Sequence, residues 1–417
     1  MLNKQYDVII VGAGLGGLYL ANLLNKTKLR VLLIEKRNTI TTLTKNYFGT
    51  FLEDVQKHNL EKYVLQQCGW GMYSTKHKYF NNLTGRTLNV LEMNSWAKSL
   101  KLNCDIKTDT EIIDIRLKKN ESLSVLDQNY QEYNAKIIVD ASGIAQTISG
   151  LLNIKKSKID FLNYAYIMEG HTLKNKKEMF YFQDATLTNC GGWFHTLEDG
   201  RCLVGCAEYT VPHSLGPNEL KKRLDSYIKN FHPLKKYLKN ATITEELCMA
   251  GPTTTAHSSV VEDNYLAIGD AAGAGGPFIG DGFRMALAMA DSAYDTIQSA
   301  FAKNDFSKKT LLKHSHNFKN EFSKWYKWSY LFRFIYVRYL TNKELNLLPN
   351  ILKKKISDDD YYAILRSKFT PRILLKLFTP KLTILILKNM FIYHILQPIG
   401  ITKLNTRPDV LIKENLN

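Results

Sequence analysis

None of the six cysteines stands in a CxxC pair, and the close pair Cys202 and Cys206 has no second pair to complete a metal site. That argues against a disulfide scaffold and a sulfur-ligated metal, so we expect free thiols in a reducing, cytoplasmic setting. No signal-peptide pattern precedes the first strand, because Met1-Leu-Asn-Lys-Gln-Tyr6 runs straight into it. No stretch supplies the roughly 20 consecutive apolar residues that span a bilayer: Lys376, Pro380, Lys381 and Lys388 interrupt the leucine-rich C-terminal region. Acidic residues are scarce there too. From residue 301 onward, 22 Lys and Arg face 8 Asp and Glu, which places +14 of the net charge of +17 in that segment. No recognised nucleic-acid motif accompanies the charge, so nucleic acid is a disfavoured partner.

What is present begins at once. Tyr6-Asp-Val-Ile-Ile-Val-Gly-Ala-Gly-Leu-Gly-Gly-Leu-Tyr-Leu-Ala21, followed by Val31-Leu-Leu-Ile-Glu-Lys-Arg37, reads as strand, glycine turn, helix and second strand. Gly12 permits the tight turn, Gly14 lets a pyrophosphate approach the backbone, and Gly17 lets helix and strand pack closely. The helix N-terminus offers N–H groups and a positive dipole end to phosphates. Glu35 stands where an acid holds a ribose diol, and Lys36 and Arg37 follow it into the same cofactor-facing turn. A glycine turn alone is a weak signal; with its strand, helix and acid it predicts a dinucleotide site.

Asn46-Tyr-Phe-Gly-Thr-Phe-Leu-Glu-Asp-Val55 reads as a loop leading into a helix, and Ala135-Lys-Ile-Ile-Val-Asp140 as a buried strand running into a nucleotide-facing turn. Residues 151–255 are strand-rich, with one helix from Asn218 to Phe231 opened by Gly216-Pro217, and predict an inserted antiparallel substrate domain. Asn264-Tyr-Leu-Ala-Ile-Gly-Asp270 and the glycine-rich stretch to Leu287 then repeat strand, loop and helix. With 417 residues to distribute, we expect an α/β fold with three regions. These are a discontinuous Rossmann-like domain at 1–150 and 256–300, the antiparallel-sheet domain at 151–255, and a basic, aromatic-rich helical region at 301–417.

Paired with the opening fingerprint, Ile268-Gly-Asp-Ala-Ala-Gly273 with Pro277, Gly280 and Gly282 resembles the FAD signatures of the flavoproteins built like p-hydroxybenzoate hydroxylase. Gly192-Trp193 followed by Gly200-Arg-Cys-Leu-Val-Gly205 resembles the aromatic motif of the geranylgeranyl reductases within that group, while Val139-Asp-Ala-Ser-Gly143 is similar to lycopene cyclases. The resemblance implies FAD as cofactor, with Gly269 and Asp270 at its ribitol and the helix from Gly282 aimed at the flavin. It implies an apolar substrate near Phe48, Gly49 and Trp193. Reduction of carbon–carbon double bonds in a prenyl or other apolar substrate is the favoured chemistry. A monooxygenase or halogenase acting on an aromatic substrate and a redox-neutral cyclase remain alternatives, and the reductant, NADPH, ferredoxin or another, stays open. His195 and Glu208 are the candidate proton donors, each with a plain structural reading as a satisfied histidine and a strand acid. Arg284 reads equally as a cofactor contact or an ion pair. The C-terminal region reads either as helices lying on an anionic membrane surface or as a cap over the substrate tunnel.

Overall fold

The computed structural model describes residues 5–396 and 398, except 75–77, 82–87, 118–121, 175–177, 184–186, 210–215, 254–259 and 346. The opening unit forms as expected, with β1 (Gln5–Val11), α1 (Leu15–Leu24) and β2 (Val31–Ile34). All four residues of β2 are buried, as in a strand covered on both faces. Residues 47–92 supply β3 (Tyr47–Phe51), β4 (Val64–Ser74) and β5 (Leu88–Glu92). Then come β6 (Asp105–Lys107) and β7 (Glu132–Asp140). The next stretch adds β8 (Phe161–Glu169), β9 (Glu178–Gln183), β10 (Gly191–Thr196), β11 (Cys202–Tyr209), α2 (Pro217–Asn230) and β12 (Thr242–Gly251). Short β13 (Tyr265–Ala267) leads to the long α3 (Phe283–Lys303).

Two sheets result. In the first, β13, β7, β1, β2 and β6 lie side by side and all pair in parallel. Its apolar strands and the inner faces of α1 and α3 build the largest core. The second runs β12-β8-β11-β10-β9-β4-β5-β3. Its pairs are antiparallel except β9 with β4, which are parallel in register from Glu178 opposite Gly69 to Gln183 opposite Ser74.

The second sheet is therefore not confined to residues 151–255. It takes β3, β4 and β5 from a segment that sequence reading assigns to the nucleotide domain. The stretch read as a loop at residues 46–51 is mostly strand β3, at one end of this sheet. Five residues with glycine in the middle are too short to display a period of two.

Beyond residue 303 the described chain is helical. Its main elements are α4 (Lys308–Phe318), α5 (Lys324–Tyr339), α6 (Asp358–Leu365), α7 (Pro371–Leu377) and α8 (Pro380–Phe391). Two Thr-Pro pairs start α7 and α8. Thr370 Oγ1 accepts from the Ile373 N–H at 3.3 Å and Thr379 Oγ1 from the Leu382 N–H at 3.4 Å, with proline at the first helical position of each. A second core joins these helices to the large sheet through Phe161, Tyr209, Phe332 and Phe369.

Candidate functional site

At the end of β1, Gly12 has φ +107°, and a Cβ there would lie 2.4 Å from the Ala141 carbonyl oxygen. Gly17 is tighter: its Cβ would sit 2.0 Å from the Gly12 oxygen. Gly14 is the opposite case, because a Cβ there meets nothing within 4 Å. The turn is thus closed underneath and open in front, where a phosphate would approach. Helix α1 begins at Gly14 with no side-chain cap and no acid in its first turn. Helix α3 begins at Gly282 in the same condition. The two N-termini converge, since a Cβ on Gly16 would stand 3.5 Å from the Ala286 oxygen. Two uncapped positive helix ends side by side suit an extended anionic ligand.

Glu35 is buried and accepts from the Ala13 N–H at 2.8 Å, the Arg37 N–H at 2.9 Å and the Arg37 Nε at 2.9 Å. Burial pushes its carboxyl up, but hydrogen bonds from the Arg37 side chain and from the Arg37 and Ala13 N–H groups outweigh this and hold it below the ordinary range. Arg37 also donates to the Ala13 carbonyl. Lys36, expected beside them, points to solvent instead. Asp140 is not a ligand-facing acid either. It is fully buried and accepts from the N–H groups and hydroxyls of Ser142 and Ser149, bracing the turn from within.

At the other end, Asp270 sits in a short helical turn, 269–272. One of its oxygens pairs with Lys45 Nζ at 2.6 Å, while a Cβ on Gly282 would stand 3.5 Å from the other. Lys45 escaped sequence reading, because a lone lysine in a polar loop carries no pattern. Phe48 packs against Phe283 at the start of α3, with ring centroids 5.1 Å apart, and Gly49 is exposed beside it. Gly280 has φ +71° and could not carry a side chain, since a Cβ would meet the Phe161 ring at 2.8 Å. Pro277 presents its carbonyl to Arg333 at 2.8 Å. Arg284 forms a buried ion pair with Asp281 at 3.1 Å.

On β11, residues alternate between two faces. Cys202, Val204 and Cys206 face α2, together with Phe194 of β10. Glu208 shares that parity. Its carboxylate accepts from the Asn189 N–H at 2.8 Å and feels the charge of Arg223 on α2. Glu208 is thus buried, not an exposed strand acid, and stands on the side of the sheet away from Trp193. Trp193 lies on the opposite face, against the core of β3 and β5. Its indole covers Gly205, where a Cβ would stand 2.6 Å from Trp193 Cζ2, so the glycine of the motif is a berth for the tryptophan. His195 is buried, and burial pushes its pKa down to about 4. The imidazole is neutral, with Nδ1 3.4 Å from the Thr196 carbonyl oxygen.

The same inward face, the loop after Pro277 and the C-terminal helices enclose an apolar cavity of about 50 Å³. Tyr181, Cys190 and Tyr209 line it from the sheet side, Phe278 and Ile279 from the loop, and Phe332, Arg333, Tyr336, Ile364, Leu365 and Leu377 from the helices. The Tyr209 hydroxyl donates to the Phe278 carbonyl and the Tyr181 hydroxyl to the Cys190 carbonyl. Arg333 lies with its guanidinium 4.1 Å from the centroid of the Tyr209 ring and pairs with buried Asp160 at 3.2 Å. Sequence reading missed this group, whose members are scattered over more than 170 positions.

Residues 7–328 match the family described as lycopene cyclase protein. The chain belongs to the lycopene cyclase family. The chain is also similar to the digeranylgeranylglycerophospholipid reductase of Methanococcus aeolicus, 24% identical over 87% of this chain and 94% of that protein. The Methanocaldococcus jannaschii enzyme of the same name is 25% identical over 90% and 96%. Among solved structures, a geranylgeranyl bacteriochlorophyll reductase-like protein from Thermoplasma acidophilum superposes with a TM-score of 0.77 at 18% identity, covering 93% of this chain and 99% of that one. A flavin-dependent brominase superposes with a TM-score of 0.67 at 17% identity, covering 89% and 97%. This member of the lycopene cyclase family therefore has the fold of flavin-dependent reductases and halogenases. Its open glycine turn, buried Glu35, Asp270 and paired helix ends fit FAD.

Proposed function

We propose that the protein is an FAD-dependent oxidoreductase that reduces carbon–carbon double bonds in a prenyl or similarly apolar lipid. The observation that carries this reading is the pair of FAD-fitting glycine turns beside an apolar pocket walled by the C-terminal helices, a pocket of about 50 Å³ that must widen to admit a prenyl chain. The similarity to digeranylgeranylglycerophospholipid reductases over most of both chains supports it. When bound, FAD supplies the hydride. Gly12, Gly14, Gly17, Glu35 and the start of α1 would hold its adenosine-pyrophosphate end, and Asp270 and the start of α3 its flavin end.

The second carbon of the reduced bond needs a proton, and the cavity holds groups that carry one. Burial pushes the Tyr181 and Tyr209 hydroxyls well above their ordinary values and the Cys190 thiol up to about 11. All three stay protonated at neutral pH and are weak acids, so they keep the cavity uncharged and yield a proton only to a strongly basic carbon formed beside them. The phenylalanine, leucine and isoleucine side chains around them exclude water, and Trp193 lies on its Gly205 shelf on the same face of the sheet. An apolar lipid substrate and a basic C-terminal region support a working position at an anionic membrane surface.

The test is to reduce the FAD-loaded protein anaerobically and follow flavin absorbance on adding a digeranylgeranyl lipid or oxygen. Reoxidation by lipid, with one double bond lost per flavin, is expected. Oxygen consumption that lipid does not influence overturns the reading in favour of an oxygenase or halogenase. The family match to lycopene cyclases favours one second reading, a redox-neutral cyclisation. A product isomeric with its substrate, formed while the flavin stays reduced, identifies it.

A further inference from the structure

The C-terminal helices have two faces. Inward, Ile373 and Leu377 of α7 and Leu382 and Ile386 of α8 are buried in the second core, and Leu377 lines the cavity. Asn389 anchors the far end of α8, donating to the Tyr339 carbonyl and to Glu344 Oε2, each at 2.7 Å. The outer face is therefore held in a fixed direction by the packing beneath it.

Among the described residues that outer face is apolar and uncovered. Leu375 is 80% exposed, Ile384 66%, Leu387 59%, Phe391 55% and Ile395 50%. The last four recur at spacings of three and four residues, a single helical stripe. Isolated exposed leucines are ordinary, but a continuous stripe on a packed helix marks a contact surface. Lys381 and Lys388 are exposed along one edge of it, and Arg372 is exposed on α7. Between Asp360 and Asp409 the sequence has no Asp or Glu and eight Lys and Arg. Of these, Lys376 is paired with Asp360 and Arg366 with Asp54, both internal contacts, while Arg372, Lys381 and Lys388 stay on the outside. An apolar stripe edged by cations is complementary to the headgroup region of an anionic bilayer, with leucine, isoleucine and phenylalanine among the acyl chains and lysine at the phosphates. Among the described residues no helix is long and apolar enough to cross a membrane, so the contact is with one leaflet.

We infer that the outer face of α7 and α8 docks on an anionic lipid surface. Helix α7 then separates two apolar environments: Leu375 faces the bilayer, and Leu377, two residues on, faces the cavity. Leu377 and its helix are the wall that a lipid tail passes on its way from leaflet to cavity. This route rests on the prenyl-lipid reading above, whereas the docking face stands on exposure and charge alone.

The experiment uses the full-length, FAD-loaded protein and vesicles of phosphatidylcholine, alone or mixed with phosphatidylglycerol. The wild type is expected to sediment with the mixed vesicles, less so as salt rises, and to leave pure phosphatidylcholine largely unbound. Ile384→Asp combined with Leu387→Asp should weaken binding at least about tenfold. Lys381→Glu combined with Lys388→Glu should remove the preference for phosphatidylglycerol. Both variants touch only exposed positions, and both should keep bound flavin and the wild-type rate on detergent-dispersed lipid. Unchanged vesicle binding by the Asp variant overturns the proposal. So does a wild type that ignores both vesicle types, or one whose outer face instead pairs two copies, seen as dimers that the Asp variant dissociates. If binding tracks the face but no prenyl lipid oxidises the flavin, docking stands and the substrate reading falls.

Discussion

Replacing Asp160 with Asn probes the polar group that fastens the C-terminal helices to the rest of the molecule. Asp160 Oδ2 lies 3.2 Å from Arg333 Nη2, and both side chains are buried. At that separation two unit charges attract by about 5 kcal/mol at an effective dielectric near 20. Asn keeps the shape and removes the counter-charge. Arg333 retains Thr253 Oγ1 at 2.5 Å and the Pro277 carbonyl at 2.8 Å, but its cation is then unbalanced in a site closed to water. Removing one partner of a buried pair costs about 3–5 kcal/mol. Arg333→Met is the informative comparison, because Asp160 keeps the Thr253 N–H at 2.5 Å and the Thr253 hydroxyl at 2.9 Å. The double variant should be less damaged than Asp160→Asn alone, since neither charge is then orphaned. Urea unfolding, followed by tryptophan fluorescence and flavin release, measures all four corners of the cycle. A loss below about 1 kcal/mol for Asp160→Asn, or a double variant as weak as the two singles added, refutes the idea that this pair is sealed from solvent.

Other substitutions separate fold from ligand. Gly14→Ala should leave the melting temperature of the flavin-free protein unchanged, because a Cβ there meets nothing within 4 Å, yet lower FAD affinity at least about tenfold by intruding on the phosphate approach; unaltered affinity in a titration contradicts the assignment. Gly205→Ala drives a methyl to 2.6 Å from the Trp193 ring and should cost about 1–3 kcal/mol while shifting tryptophan fluorescence, and a wild-type melting curve would show that the indole is free to move aside. Acid lability is the pH prediction. Burial lowers His195 and His314 to about 4 from 6.5, so below pH 6.5 the unfolded chain takes up protons that the folded one refuses. Stability is then full above that pH and falls toward pH 4, by about 2 kcal/mol per histidine at pH 5. His195→Leu should shallow the slope of midpoint against pH, and an unchanged slope argues against the neutral buried imidazole.

The turns proposed for the cofactor were legible as backbone features because their constraints are local. Gly12, Gly14, Gly17 and Glu35 lie within one βαβ unit, and Gly269 to Gly282 within one loop, so each spacing reports a backbone constraint directly. The cavity proposed for the substrate is not local. Asp160, Thr253, Pro277 and Arg333 meet only after both sheets and α5 have packed, and no one of them is unusual in its own neighbourhood. Glu208 misled for a related reason: strand alternation is visible in sequence, but which face looks at the cavity depends on where α2 lands. The C-terminal region offered two readings, a cap and a lipid-facing surface. The inward sides of α5, α6 and α7 cap the cavity, and the outward side of α7 and α8 is what we assign to lipid.

The single parallel pair in the large sheet bears on how the chain acquires its shape during synthesis. β4 is complete on one side once β5 has been made, yet its other partner, β9, is encoded 109 positions later, Gly69 waiting for Glu178. At roughly 5–20 residues per second, the ribosome leaves that strand edge unsatisfied for about 5–20 s. Such an edge templates association with neighbouring chains. Yield in a cell should therefore depend on chaperone supply and elongation rate more steeply than the stability of the finished protein suggests, with β4 the segment that needs shielding.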